Sequence, residues 1–249
     1  MTRLSTYLTA LFLSLISMLA AHAQSKKTVD RFDSVIISPH IQTIFVQGDK
    51  ESVEIKNAKV SEDKINIEVK GKTLRVYLDG AKVVTKNVKI NTDDWKGKKA
   101  LYQGTMMTAI ITYTELKDIS IRGEETVVCK SPIESEDFDL SLYGEAIMTM
   151  ESLHVEEFKV AIYGESSLEI IKGNIENQKY AVYGEGKVNT LGVDNAHTKI
   201  TAFGEGNFRI NVSDALKVTA FGEANVSYTG TPDVDKGIVI GEAVIHQIR

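Results

Sequence analysis

Cysteine is almost absent from this chain: Cys129 stands alone among 249 residues, so no internal disulfide can staple the fold and burial must hold it together. Proline is nearly as scarce, with three residues, and no stretch rich in Pro, Gly or Ser marks a linker, so one continuous domain is expected. Long apolar runs are missing after the first two dozen residues, which excludes a later membrane-spanning helix. Basic clusters interleaved with aromatics are missing too, and the net charge is −5; nucleic acid is therefore not expected as a partner. His40, His154, His197 and His246 show no zinc-ligand spacing and no H-E-x-x-H occurs. No metal site of that kind, no cofactor and no enzymatic activity are expected.

What is present begins with a leader. Arg3 gives a positive start, Leu8 to Ala20 is apolar apart from small hydroxyl residues, and Ala21-His22-Ala23 supplies small residues before a cut. That pattern predicts a secretory signal peptide over residues 1–23, cleaved after Ala23. The expected location is exported: periplasmic, outer-surface or extracellular. The residue after the cut is Gln24, so the chain is not expected to be a lipoprotein.

Internal repetition decides the fold class. Gly-Glu recurs at Gly123, Gly144, Gly164, Gly184, Gly204, Gly222 and Gly241, at intervals of 21, 20, 20, 20, 18 and 19. Four residues before the glycine stand Ile119, Leu140, Val160, Tyr180, Ile200 and Val218; two before it stand Ile121, Leu142, Ile162, Val182, Ala202 and Ala220. Two after it, from Ala146 onward, the residue is small; four after it stand Val127, Met148, Leu168, Val188, Phe208, Val226 and Ile245. Apolar residues at every second place predict strands with one face buried. The outward places carry Asp118, Asp139, Lys159, Lys179, Lys199, Lys217 and Lys236 five before the glycine.

A strand this short cannot bury its apolar face alone, and about twenty residues is too few for a βαβ unit. Coils stacked strand on strand would bury a continuous core and align equivalent residues in columns. The predicted fold is all-β: a single-stranded parallel β-helix, or solenoid, with coils of about twenty residues over 115–249 and a less regular β cap over 29–114. An antiparallel β-sandwich also fits the strand spacing but accounts less well for columns of identical residues. Glu151–Glu157, Lys172–Gln178, Gly192–Thr198 and Thr229–Lys236 read as turn-rich connectors, and polar Lys82–Gly104, with Trp95, reads as an excursion over the surface.

Several segments together carry a family resemblance: Phe32-Asp33-Ser34-Val35, Ile44-Phe45-Val46-Gln47-Gly48-Asp49, Lys72-Thr73-Leu74-Arg75-Val76, Glu115-Leu116-Lys117-Asp118-Ile119 and Gly241-Glu242-Ala243-Val244-Ile245. Over Val29–Arg249 the chain resembles the auto-transporter adhesin head GIN domain. The resemblance implies a secreted β-solenoid with no established activity and no catalytic residues. In its turns the chain departs from that family, carrying Gly-Glu where Gly-Ser-Gly or Gly-Asp is common.

Two columns are the candidate binding face. One is aromatic: Tyr143, Tyr163, Tyr183, Phe203 and Phe221. The other is acidic: Glu145, Glu165, Glu185, Glu205 and Glu223, extended by Glu124 and Glu242. In stacked coils the carboxylates would sit about 4.8 Å apart, where like charges oppose one another. Calcium, which takes several carboxylate oxygens, is one candidate ligand; a glycan or an envelope protein held by rings and carboxylates is another. The rival account is structural, since aromatic columns stabilise sheets by stacking and glutamates keep a surface soluble. The expected function is therefore surface binding or adhesion, with a structural or assembly role as the alternative and a polysaccharide-active enzyme the least favoured.

Overall fold

The computed structural model describes residues 25–91 and 96–249. The leader expected over residues 1–23, and Trp95, lie outside the described residues. The chain is a parallel β-solenoid of about 6 turns. Gly123 lies opposite Gly144, and so on in register through Gly164, Gly184, Gly204, Gly222 and Gly241, with every one of these pairings parallel. The antiparallel sandwich is excluded by that register.

Each regular coil has three strand segments rather than two. In one coil they are residues 157–164, the end of the strand Leu153–Gly164, then Ser167–Ile170, then residues 173–175, the start of the strand Gly173–Thr190. The stretches read as connectors thus form a third wall: Leu153–Val155 pairs with Gly173–Ile175, which pairs with Val193–Asn195. Val155, Ile175 and Val193 point inward and are buried. The shorter interval before Gly222 has a local cause. After Asn211 the chain turns through Ser213-Asp214, whose N–H groups reach Asn195 and Ala196 carbonyls, and strand pairing resumes only at Ala215 opposite His197.

Side chains from all three walls fill the interior. Leu140, Val160, Ile200 and Val218 stack in one column, Met148, Leu168, Val188, Phe208 and Val226 in another, and all are buried. Each such side chain contributes about 1.5–3 kcal/mol by leaving water. One group of polar side chains enters this interior as a bonded chain. Gln178 donates to Thr198 Oγ1 at 2.8 Å and accepts from the Tyr180 hydroxyl at 2.7 Å, while Thr198 donates to Asn195 Oδ1 at 2.6 Å. Such a chain of bonds avoids the cost of an orphaned buried polar group.

The parallel stack extends beyond the Gly-Glu coils. Ser34–Ile37 pairs with Asp118–Ile121, and Thr43–Phe45 pairs with Val127–Cys129. Outside these lie Thr73–Leu78 and Met107–Tyr113, also parallel to their neighbours. Residues 34–47 therefore sit between two layers that follow them in sequence. Antiparallel strands close this end: Ile65–Lys70 on Thr73–Leu78, Ser52–Lys56 on Met107–Tyr113, and Ser25–Thr28 on Ser52–Lys56. Between Leu78 and Met107 the chain leaves the wall as the expected excursion, which carries its own hairpin of Asn87–Asn91 and Lys96–Ala100.

At the other end, a bulge shifts the last strand between Val218 and Ala220. Lys236 consequently pairs with Val218 and leaves the lysine column to which counting back from Gly241 assigns it; Asp235 takes that place opposite Lys217. The count fails because the bulged strand inserts an extra residue, which spacing alone cannot reveal.

Glycine is required at the corner. Gly184 has φ of 120°, and a Cβ there would lie 2.6 Å from the Gly164 carbonyl oxygen. Gly184→Ala is predicted to lose about 2–4 kcal/mol, combining backbone strain with displacement of the coil beneath. Urea denaturation checks this, and an unchanged midpoint would contradict the corner geometry.

Candidate functional site

The corner converts repetition into a surface strip. Residues two and four before each glycine face inward, so the residue immediately before it faces out, and parallel register places equivalent side chains one strand spacing apart. Tyr143–Tyr163, Tyr163–Tyr183, Tyr183–Phe203 and Phe203–Phe221 have ring centroids 4.8, 4.9, 4.9 and 5.0 Å apart, with interplanar angles of 6° or less. These are offset-stacked pairs. Tyr163 and Phe221 are 39% and 38% exposed. Because each ring covers the faces of its neighbours, the strip offers ring edges and tyrosine hydroxyls. The flat faces of the inner rings are covered by their neighbours.

The glutamates follow the rings around the corner. Glu124, Glu145, Glu165, Glu185, Glu205, Glu223 and Glu242 are all exposed, and Glu185, Glu205, Glu223 and Glu242 lie directly opposite one another. Among the described residues no three His, Cys, Asp or Glu side chains come together to hold a metal ion. The carboxylates run along a line facing solvent. The lysines occupy a separate outward column. Lys179 pairs with Glu157 at 2.7 Å, Lys159 with Asp139 at 3.9 Å, and Lys217 with Asp235. Their partners are thus not the glutamates of the Gly-Glu pairs: Asp139 and Asp235 stand in the same outward column, and Glu157 lies two residues before it.

The strip has a distinct head. Arg122 takes the aromatic position in the first Gly-Glu coil, with its guanidinium carbon 4.3 Å from the Tyr143 ring centroid. Glu125 takes the place that is small in every later coil and is only 7% exposed. Its carboxylate accepts the Glu124 N–H at 3.1 Å and lies 3.8 Å from His40 Nδ1. Burial pushes the Glu125 carboxyl up, while the main-chain N–H groups of His40 and Glu124 oppose that rise. His40 has a left-handed φ of 74°. Its Nδ1 donates to the Gly104 carbonyl at 2.8 Å, so in the neutral ring Nε2 accepts from the Thr85 hydroxyl at 2.6 Å. Both ends of the excursion are thereby tied to the head of the strip. Sequence reasoning passed over this cluster, although its signal was there: two columns each broken in the same coil.

Other reactive groups stay apart. Cys129 is fully buried, and burial pushes its thiol well above the usual range, so it is a core residue. His154 and His197 stand on the third wall, bonded or near to Ser152 and Glu176 respectively. Among the described residues no helix is long and apolar enough to cross a membrane.

The fold and this strip define the class: a parallel β-solenoid that displays repeated side chains along its outside. The chain belongs to the family described as "Putative auto-transporter adhesin, head GIN domain", whose model matches residues 31–232. Three solved structures share the fold. A protein described as a putative adhesin, from Parabacteroides merdae, is 21% identical with a TM-score of 0.65. Another so described, from Bacteroides fragilis, is 16% identical with a TM-score of 0.74. A third, from Parabacteroides distasonis and described as a putative lipid binding protein, is 15% identical with a TM-score of 0.61. Each comparison covers 91% of this chain and 96% of the other. No match to a curated protein was found.

Tyr183 stacks on two neighbours, so Tyr183→Ala is predicted to lose about 1–3 kcal/mol and Tyr183→Phe very little; thermal denaturation of both variants checks this. A second expectation concerns pH. The folded chain holds the Glu125 proton more tightly than the unfolded chain, so the stability linked to this group is greatest below the ordinary carboxylate range. It is lost as pH rises through the elevated folded value. Asp118, raised by burial and by Asp139 and Asp33, acts with the same sign in both proteins compared. Glu125→Gln should therefore gain on the wild type as pH goes from about 4 to about 7. A stability difference that stays constant across that range would refute the buried-carboxylate assignment.

Proposed function

We propose that this chain is a non-catalytic binding or adhesion module of the cell envelope, exported by the leader over residues 1–23. The strip along the corner is its contact face. Membership of the adhesin family supports the surface role. The observation that carries the proposal is the unbroken strip itself: half-buried Tyr143 and exposed rings from Tyr163 to Phe221, beside exposed carboxylates from Glu124 to Glu242. Like charges aligned at strand spacing cost about 0.2–1 kcal/mol per pair where they face closely, a cost that a ligand donating hydrogen bonds offsets. Ring edges and hydroxyls at regular intervals suit an extended partner, a glycan chain or an envelope protein, lying along the rod.

A second reading is end-to-end assembly. The strand Asp233–Gln247 pairs on one edge only among the described residues, and Ile238 and Ile240 on it are each 65% exposed. An unpaired edge with apolar side chains is a template for another strand.

The test is retention on immobilised cell-envelope material. Replacing Tyr163, Glu165, Tyr183 and Glu185 together with alanine should abolish most retention. Glu165→Gln, Glu185→Gln and Glu205→Gln, made together, keep the ring stack and should still weaken it. Full retention by both variants would remove the strip as the contact face. Loss of retention in Ile238→Lys alone would favour assembly.

A further inference from the structure

Three departures from the repeat meet at one corner. Arg122 replaces an aromatic residue, Glu125 replaces a small one, and the excursion crosses above, anchored on His40 through Thr85 and Gly104. Together they line an open cavity of about 410 Å³, bordered among others by His40, Val83, Val84, Arg122, Glu124 and Tyr143. That volume is in the range of sites for single small molecules.

Two charged side chains lining this cavity lack partners among the described residues. Arg122 Nε is buried with no hydrogen-bond partner, and among the described residues the guanidinium forms no ion pair, being held instead against the Tyr143 ring. The Glu124 side chain, in the same cavity and exposed, has no partner among the described residues either. Arg122 and Glu124 thus line one space without pairing with each other. A half-buried charge such as that of Arg122 is costly unless a ligand or water completes it.

We propose that this cavity binds one uncharged sugar residue. A cation would meet the Arg122 guanidinium. An anion drawn to Arg122 would meet the Glu124 and Glu125 carboxylates. A neutral polyol suits both sets, because each hydroxyl can accept from the guanidinium and donate to a carboxylate. Val83 and Val84, 49% and 73% exposed, supply an apolar wall for the C–H face of a pyranose ring. Tyr143 contributes a polar tip, its outer face being covered by Arg122.

Methyl-detected NMR of the whole protein tests the inference, following Val83 and Val84 during titration with D-glucose, D-galactose, D-mannose and N-acetyl-D-glucosamine. Glucuronate and glucosamine serve as charged controls. At least one neutral sugar should shift both valines saturably and more tightly than either charged sugar. Arg122→Ala should weaken that binding about tenfold, the loss of a hydrogen bond to a charged group. Val84→Trp, an exposed substitution that fills the mouth and spares the fold, should block it. The inference is overturned if no neutral sugar moves these methyls, if a charged sugar binds more tightly, or if both variants bind like the wild type. It stands apart from the corner strip: the Tyr163, Glu165, Tyr183, Glu185 variant should keep sugar binding here even where it loses retention on envelope material.

Discussion

In-register parallel pairing of one coil on the next is the constraint on which everything else in this protein depends. Main-chain hydrogen bonds hold successive coils at strand spacing, and that spacing turns each repeated residue into a column. The glycine corner permits it. At Gly144, Gly164 and Gly184 a Cβ would come within 2.5–2.6 Å of the carbonyl oxygen of the glycine below, so any side chain there would push the coils apart. Inward columns become the core, and outward columns become the rings, carboxylates and lysines of the surface.

The same register creates tension and then disperses it. Stacked rings gain from alignment, which is why centroid distances hold at 4.8–5.0 Å along the strip. Stacked glutamates do not gain, and they are tolerated because they face solvent of high dielectric. The lysine column solves its own repulsion locally by borrowing Asp139, Glu157 and Asp235. Inside, where no solvent helps, Gln178, Thr198, Tyr180 and Asn195 satisfy one another. Arg122 and Glu124, which find no partner for their charges among the described residues, sit where regularity stops, beneath the excursion.

The solenoid was legible because its signals are local and repeated: alternating burial, glycine spacing and columns of like residues. The aromatic and acidic strips were legible for the same reason. Three features were not. The third wall looked like connector, since segments such as Gly173–Ile175 are too short for alternation to register. The place of Ser34–Gln47 between two later layers was invisible because strand pairing at long separation leaves no periodic mark. Lys236 was misplaced because the bulge inserts one extra residue, so counting back from Gly241 lands one place off.

By itself the sequence determined the all-β class, the coil length and which side chains face outward, since those follow from period two and the recurrence of Gly-Glu. Only the tertiary structure decided which columns keep their faces free, which charges find partners, and that His40, Arg122 and Glu125, drawn from two coils, share one corner with the excursion. The physical reason is distance: burial and repetition act along neighbouring residues, whereas a site is made by groups that only folding brings together.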